Sequence, residues 1–357
     1  MDESVEHVLV HTGQNYDDSL NKVFFEDLRL RSADHYLAVD TSSLGKVLGE
    51  TLIKTEEVLL AERPDAFLVL GDTNSSVSAV VAKRMKIPVY HMEAGNRSFD
   101  ENVPEEVNRR LVDHVADFNL VYTEHARRNL LAEGLHPRRI LLTGSPMHEV
   151  LTHYRADIDS SNVLERMGLE PRRYFLVSAH REENVDSPAR LRLLLSTLEL
   201  VAKRWALPVV VSTHPRTRLR IEQSSFGHQI DGVRFSEPFG FHDYNRLQLD
   251  AACVLSDSGT ISEESAILGF PAVTIRDSME RPEALDAGAI MMCGLDAHEV
   301  AEAMELTQAQ FQAGHRPQLP AGYEVTDTSL RTLRFILSTA ARHRFWSGLR
   351  PADGEQG

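Results

Sequence analysis

The sequence predicts an α/β chain with two parallel-sheet domains, and three observations support this. Short β-branched or apolar runs alternate with helical stretches along the chain, the pattern of strands joined by crossover helices. At 357 residues the chain exceeds one small core and suits two domains of common size. The carboxyl ends of the apolar runs carry acids, imidazoles and small turn residues, where open parallel sheets gather ligands.

The first domain, residues 1–165, begins with His7-Val-Leu-Val-His11. It continues through Phe67-Leu-Val-Leu70, Val89-Tyr-His91, Phe118-Asn-Leu-Val-Tyr122 and Ile140-Leu-Leu-Thr-Gly144. The second, residues 166–326, holds Tyr174-Phe-Leu-Val-Ser178, Val209-Val-Val-Ser212, Val254-Leu-Ser256 and Ala272-Val-Thr-Ile275. Such near-continuous apolar runs belong to strands covered on both faces. The charged, helical stretch from Pro146 to Arg172 has no strand signal and reads as the crossing between the sheets, with the boundary near residue 165. Leu330, Leu333, Ile336, Leu337 and Ala340 have helical spacing, so residues 327–345 are expected to form a closing helix. A polar tail follows from Pro351.

Composition excludes several classes. With 53 acidic and 38 basic residues the net charge is −15, which repels phosphate backbones and anionic lipid, so neither nucleic acid nor a membrane is expected as a partner. An anionic ligand must then be held by a local site. There is no signal-peptide pattern and no apolar run of spanning length, so a cytoplasmic protein is expected. Cys253 and Cys293 lie in or beside apolar strands without metal-ligand spacing and read as buried thiols of a reducing compartment. Neither His180 nor His214 has the His-x-x-x-His or His-plus-Cys spacing of a metal site, most of the 16 histidines are read as ordinary surface or packing residues, and there is no Gly-x-Gly-x-x-Gly turn. No metal and no cofactor is expected.

The strand ends read Gly71-Asp72, Glu93-Ala-Gly95, Ala179-His180, Thr213-His214, Asp257-Ser-Gly259 and Arg276-Asp277. Packing alone does not call for such a series, so one ligand cleft between the domains is expected. Around Leu255 to Glu264 a strand runs into a small-residue turn that opens directly into a helix, a ready phosphate site. Thr260 and Glu263 have capping-box spacing, which leaves Glu264 as the free carboxylate for a ribose.

Asp72 and Glu93 end strands expected to be neighbours, and Glu105 follows Pro104 at a helix start. Structural readings stand beside the functional ones. Pro104 with two glutamates is good helix design, and Asp72 can cap the next helix. Glu93 has no helix start to complement. Arg109, four residues after Glu105, can pair with it across one turn. Crowded carboxylates share protons, which raises the pKa of at least one and makes acid/base chemistry available at neutral pH. His180 and His214 can carry positive charge toward a leaving diphosphate.

Gly71-Asp-Thr-Asn-Ser-Ser76, His91-Met-Glu-Ala-Gly-Asn-Arg97, Pro104-Glu-Glu-Val-Asn-Arg109, Thr143-Gly-Ser-Pro146, His180-Arg-Glu-Glu-Asn184, Asp257 to Glu264 and Arg276 to Glu283 occur in that order. Together they resemble the non-hydrolysing UDP-N-acetylglucosamine 2-epimerases over roughly residues 6 to 300. The resemblance implies two Rossmann-like domains of glycosyltransferase-B type, a UDP-sugar in the cleft, a final helix returning to the first domain and a homodimer. It implies Asp72, Glu93 and Glu105 as acid/base groups and His180 at the diphosphate, with Arg109, His214 and Arg276 among the substrate-binding residues. Ser258, Gly259 and Thr260 would hold phosphate, Glu264 the ribose, and Tyr244 would stack near uracil. In the implied chemistry UDP leaves C1 as the C2 proton is removed, and the resulting glycal is reprotonated on its other face before UDP returns.

Three departures stand out. Family members begin with a strand and a Gly-Thr-Arg-Pro-Glu turn that this chain lacks by that comparison, which points to a shortened or misassigned start and to weak or no turnover. Full turnover would count against this expectation. Gln14-Asn-Tyr16 and Glu182 replace more basic residues of a proposed allosteric site, which argues against activation by a second substrate molecule. Asn96 and Phe99-Asp-Glu-Asn102 look more like the branch acting on modified sugars, as in UDP-N-acetyl-L-fucosamine synthesis. The open readings are thus epimerisation of UDP-N-acetylglucosamine or of a 6-deoxy or diacetamido UDP-sugar, a hydrolysing epimerase, a glycosyltransferase-B type transferase, and a non-catalytic UDP-sugar binder.

Overall fold

The computed structural model describes residues 1–13, 23, 25–100, 103–224 and 230–349. They form two compact units. One comprises the described residues of 1–16, 31–149 and 321–357, the other those of 17–30 and 150–320.

In the first unit β1 (Val10–His11) pairs in parallel with β2 (His35–Tyr36) as a small sheet of its own. A second, fully parallel sheet runs β3 (Phe67–Leu70), β4 (Val89–Met92), β5 (Phe118–Val121), β6 (Ile140–Leu142). Its successive side chains turn to opposite faces, as a strand requires. Val69 and Val89 pack with Leu59 of α1 (Leu44–Glu62), Ala79 and Ala82 of α2 (Ala79–Arg84) and Val112 of α3 (Pro104–Val115). Tyr90, Phe118 and Leu120 pack with Phe335, Ile336 and Trp346 from the end of the chain. Leu70 pairs with Met92, and Gly71 N–H donates to the Met92 carbonyl at 3.0 Å, so Asp72 and Glu93 emerge side by side.

The second unit holds six parallel strands in the order β12 (Met291–Met292), β11 (Ala272–Thr274), β10 (Cys253–Ser256), β7 (Phe175–Ser178), β8 (Val209–Ser212), β9 (Val233–Ser236). The strand order reverses between β7 and β10, the switch point beyond which ligands bind in open parallel sheets. A core of Phe175, Val177, Leu194, Leu198, Val211, Leu255, Val273 and Met304 joins this sheet to its helices.

Several sequence expectations change. Residues 150–165 pack with the second unit rather than the first: Ile158 and Val163 are buried, and Ser161 Oγ and the Arg166 guanidinium both bind Asp243. Three short strands, β2, β9 and β12, carried no clear apolar run. The chain end forms a helix at Thr328–Thr339 and a last turn at His343–Trp346. Leu330 and Leu337 are exposed there, while Thr328, Thr332, Thr339 and His343 are buried. The packing face thus sets these residues beside Phe335 and Ile336: Thr339 Oγ1 donates to the Phe335 carbonyl at 2.7 Å and lies 2.6 Å from Tyr90 Oη, and Thr328 Oγ1 donates to the Ser145 carbonyl at 3.1 Å. Among the described residues no helix is long and apolar enough to cross a membrane.

Candidate active site

Two groups of polar residues stand at the carboxyl ends of strands, one in each unit. In the first unit the turn after β3 carries Asp72 and the turn after β4 carries Glu93. The buried Arg109 guanidinium binds the Asp72 carboxylate, reaches Glu93 Oε1 at 3.3 Å and donates to the Glu93 backbone carbonyl. One planar cation thus holds both acids in a fixed arrangement.

The expected Arg109–Glu105 pair does not form. The i,i+4 pair at this helix start is Glu106 with Arg110, at 2.8 Å. Glu105 is half-buried and has no hydrogen bond or ion pair among the described residues, which leaves its carboxylate available one turn from Arg109. Asn108 Nδ2 donates to the Asp72 carbonyl at 3.0 Å and docks the helix on that turn.

Glu93 has φ +62, the left-handed region that a residue with a side chain seldom occupies. Holding it there costs on the order of 1–3 kcal/mol, a cost the surroundings must over-determine. Glycines on either side make room. A Cβ on Gly71, itself at φ +72, would stand 3.4 Å from Glu93 Oε2, and one on Gly95, at φ +80, would come within 2.4 Å of the Ala126 carbonyl.

In the second unit the buried Asp257 carboxylate ends β10. It accepts the amides of His180 (3.1 and 3.0 Å) and Arg181 (3.0 Å) and the side chain of Asn184 (3.0 Å). It also lies 3.3 Å from His180 Nδ1. The His180 ring stays 39% exposed, so its other nitrogen is open to a ligand. His214, at the end of neighbouring β8, has its ring 6.0 Å from that of His180 and accepts the Arg216 amide on Nδ1. In the turn, Ser258 Oγ lies 3.0 Å from Thr260 Oγ1 and accepts the Thr260 amide at 3.3 Å. The helix Ile261–Leu268 follows, and its first amides offer an anion site.

The capping box is absent. Thr260 has helical angles (φ −77, ψ −16) and no side-chain cap bond, whereas a capping residue needs extended backbone. Glu263 is instead buried against Arg281 Nη1 at 2.6 Å. Glu264 accepts Gln248 Nε2 at 2.6 Å and a bond from Thr260. Burial raises its pKa above the ordinary value despite those bonds. Tyr244 directs its hydroxyl at Ser178 and Ser256, the last residues of β7 and β10, and burial raises its pKa strongly. Arg276 is buried, with a two-pronged bond to Glu280 at 2.8 Å for each arm. Among the described residues no group of three or more His, Cys, Asp or Glu is arranged to hold a metal ion. Gln248, Arg281, Asp113 and His91 were not singled out from the sequence. Only Asp113 had a readable signal, since it falls four residues after Arg109 on the same helical stripe.

Two Rossmann-like units of glycosyltransferase-B type, one with two strand-end acids held on an arginine and one with a small-residue turn opening a helix beside the Glu264 carboxylate, suit a nucleotide-sugar class of protein. Comparison makes this specific. The family model described as UDP-N-acetylglucosamine 2-epimerase matches residues 1–337, and the chain belongs to that family. The structure of UDP-N-acetylglucosamine 2-epimerase from Rickettsia bellii is 43% identical and superposes with a TM-score of 0.89, covering 96% of this chain and 92% of that one. The Methanocaldococcus jannaschii UDP-GlcNAc 2-epimerase, solved in complex with UDP-GlcNAc and UDP, is 32% identical with a TM-score of 0.88, covering 94% and 92%. The UDP-2,3-diacetamido-2,3-dideoxy-D-glucuronate 2-epimerase of Pseudomonas aeruginosa is 34% identical over 296 residues, 82% of this chain and 81% of that protein.

Proposed function

We propose that this chain interconverts UDP-N-acetylglucosamine and UDP-N-acetylmannosamine, or the two C2 epimers of a modified UDP-N-acetylaminosugar. The observation that carries the reading is the pair of acids fixed on Arg109, with Glu105 unengaged one helical turn away. Inverting a carbon needs a proton taken from one face and returned to the other, hence more than one acid/base group. One carboxylate takes the C2 proton, the C–H electron pair becomes the C1=C2 bond of a glycal, and UDP leaves with the C1–O pair. Reprotonation on the opposite face of C2 and return of UDP to C1 complete the cycle.

Within this scheme Asp72, Glu93 and Glu105 exchange the proton, and Arg109 keeps the first two aligned. His180, with His214 beside it, meets the diphosphate charge, and Ser258, Gly259 and Thr260 bind phosphate. Glu264 accepts the ribose hydroxyls, Tyr244 lies toward the base, and Arg276, tied to Glu280, braces the phosphate side. The complex of the M. jannaschii relative with UDP-GlcNAc and UDP supports the nucleotide, and the diacetamido-glucuronate relative supports a wider range of sugars.

Glu182 is paired with Arg216 at 2.5 Å. This favours a hyperbolic response to substrate, without activation by a second molecule. Gln14 to Tyr16, the other part of that expectation, lie outside the described residues, as do Glu101 and Asn102. We also read the chain as a cytoplasmic homodimer, in keeping with the family and with the free thiols of Cys253 and Cys293.

Incubation with UDP-N-acetylglucosamine in D2O tests the proposal. Deuterium at C2 of intact nucleotide sugar of both epimers is expected. Free sugar would indicate the hydrolysing reaction. Sugar transfer without exchange would indicate a transferase, and binding without exchange would leave only a binding protein.

A further inference from the structure

Behind the carboxylates lies a buried charged group that the chemistry above does not use. Asp113 is fully buried on the same stripe of α3 as Arg109. Its carboxylate accepts the Gly95 amide at 3.2 and 3.1 Å and Arg97 Nη1 at 2.7 Å, and lies 2.8 Å from His91 Nδ1. The other nitrogen of the buried His91 ring, Nε2, lies 2.8 Å from the Gly71 carbonyl. A carbonyl only accepts, so Nε2 carries a proton and donates.

These contacts meet the backbone on both sides of the reacting acids. Gly71 precedes Asp72, His91 is two residues before Glu93, and Gly95 is two after it. Arg109 grips the same acids by their carboxylates. The left-handed backbone of Glu93 is thus fixed from both ends, and the turn that carries Asp72 is tied to it through one imidazole.

We propose that His91 and Asp113 are positioning residues that set the separation of Asp72 and Glu93, a role that rests on the epimerase reading. His91 transmits the position of Asp113 to the Gly71 carbonyl, and Asp113 holds the Gly95 amide. Neither touches the sugar. Their effect falls on the rate of C2 proton transfer and leaves nucleotide binding, which belongs to residues of the other unit, unchanged.

Two substitutions at one position separate this role from simple core packing. His91→Gln keeps a donor near the Nε2 position and so the bond to Gly71, whereas His91→Asn keeps only a donor near Nδ1. For a displacement near 1 Å, His91→Asn is expected to lower kcat for epimerisation about 100-fold, with KM and the UDP dissociation constant within about threefold of the parent. His91→Gln should recover to within about tenfold of the parent. Adding Asp113→Asn to His91→Asn should cost little more than the slower single change, because both break one device. Equal kcat for the two His91 variants overturns the proposal, and so does UDP affinity falling in step with kcat. A parent that exchanges no C2 hydrogen overturns the epimerase reading itself. A parent that exchanges, with kcat unmoved by His91→Asn, overturns only the positioning pair.

Discussion

Arg109 is buried, and its guanidinium serves three acceptors at once: the Asp72 carboxylate, the Glu93 carboxylate and the Glu93 carbonyl. A lysine ammonium is a point charge without that planar fork, so Arg109→Lys is expected to keep the fold and lower kcat by roughly 10- to 100-fold. Arg109→Met leaves two like charges uncompensated and should cost about 3–5 kcal/mol of stability. Steady-state rates and denaturant melts of the two variants check this, and a Lys variant at full rate would contradict it. Glu264 makes a second prediction. Burial raises its pKa above 4.5, so the anion proposed to accept the ribose is lost on acidification, beginning above pH 4.5. UDP affinity by calorimetry should fall as the pH is lowered toward 4.5 in the parent more than in Glu264→Gln, and parallel curves would contradict the assignment. These acids were legible in the sequence because strand ends expose side chains where packing needs none. The partner of Arg109 was not, since i,i+4 spacing sees one helix and the preferred acceptors come from two neighbouring strands.

The elements of the first unit are tied together by Asp117, at the start of β5. It accepts the Val89 amide at 3.0 Å, binds the Lys83 ammonium and lies 2.7 Å from His343 Nε2 in the last helical turn. Burial pushes its carboxyl up, but the bonds from His343, Lys83 and Val89 outweigh this and hold it below the ordinary 3.8. A carboxyl depressed in the folded state stabilises above its unfolded pKa, and that contribution is lost as pH falls below it. Asp117→Asn should therefore cost about 2 kcal/mol at pH 7. The gap between variant and parent should narrow below pH 3.8, as denaturant melts at pH 7 and pH 3 would show. A gap that widens in acid would contradict the argument. The closing helix was legible as a helix, and Ile336 does pack inward, but Leu330 and Leu337 are exposed and threonines share the packing face, which a periodicity of apolar residues does not reveal. The capping box was misread for a similar reason: the right residue types stood at the right spacing, yet Arg281, 18 residues after Glu263, offered its acid a stronger partner.

At the scale of the whole chain, the alternation of strands and helices was enough to give two parallel-sheet units, because a buried parallel strand needs a continuous apolar run. What remained hidden was the allegiance of short segments. Residues 25–30 belong with the second unit, where Arg29 pairs with Asp157 at 2.7 Å and Tyr154 Oη donates to the Leu28 carbonyl at 2.5 Å. No local pattern marks such a return. The central claim is a division of labour, with proton transfer in the first unit and nucleotide binding in the second. The most direct test measures two quantities, C2 deuterium exchange and UDP affinity, in Glu93→Gln and Glu264→Ala side by side. The account predicts that Glu93→Gln loses exchange by at least about 100-fold while binding UDP like the parent. Glu264→Ala should lose UDP affinity yet still exchange C2 hydrogen at saturating substrate. Loss of both quantities together in both variants would contradict it.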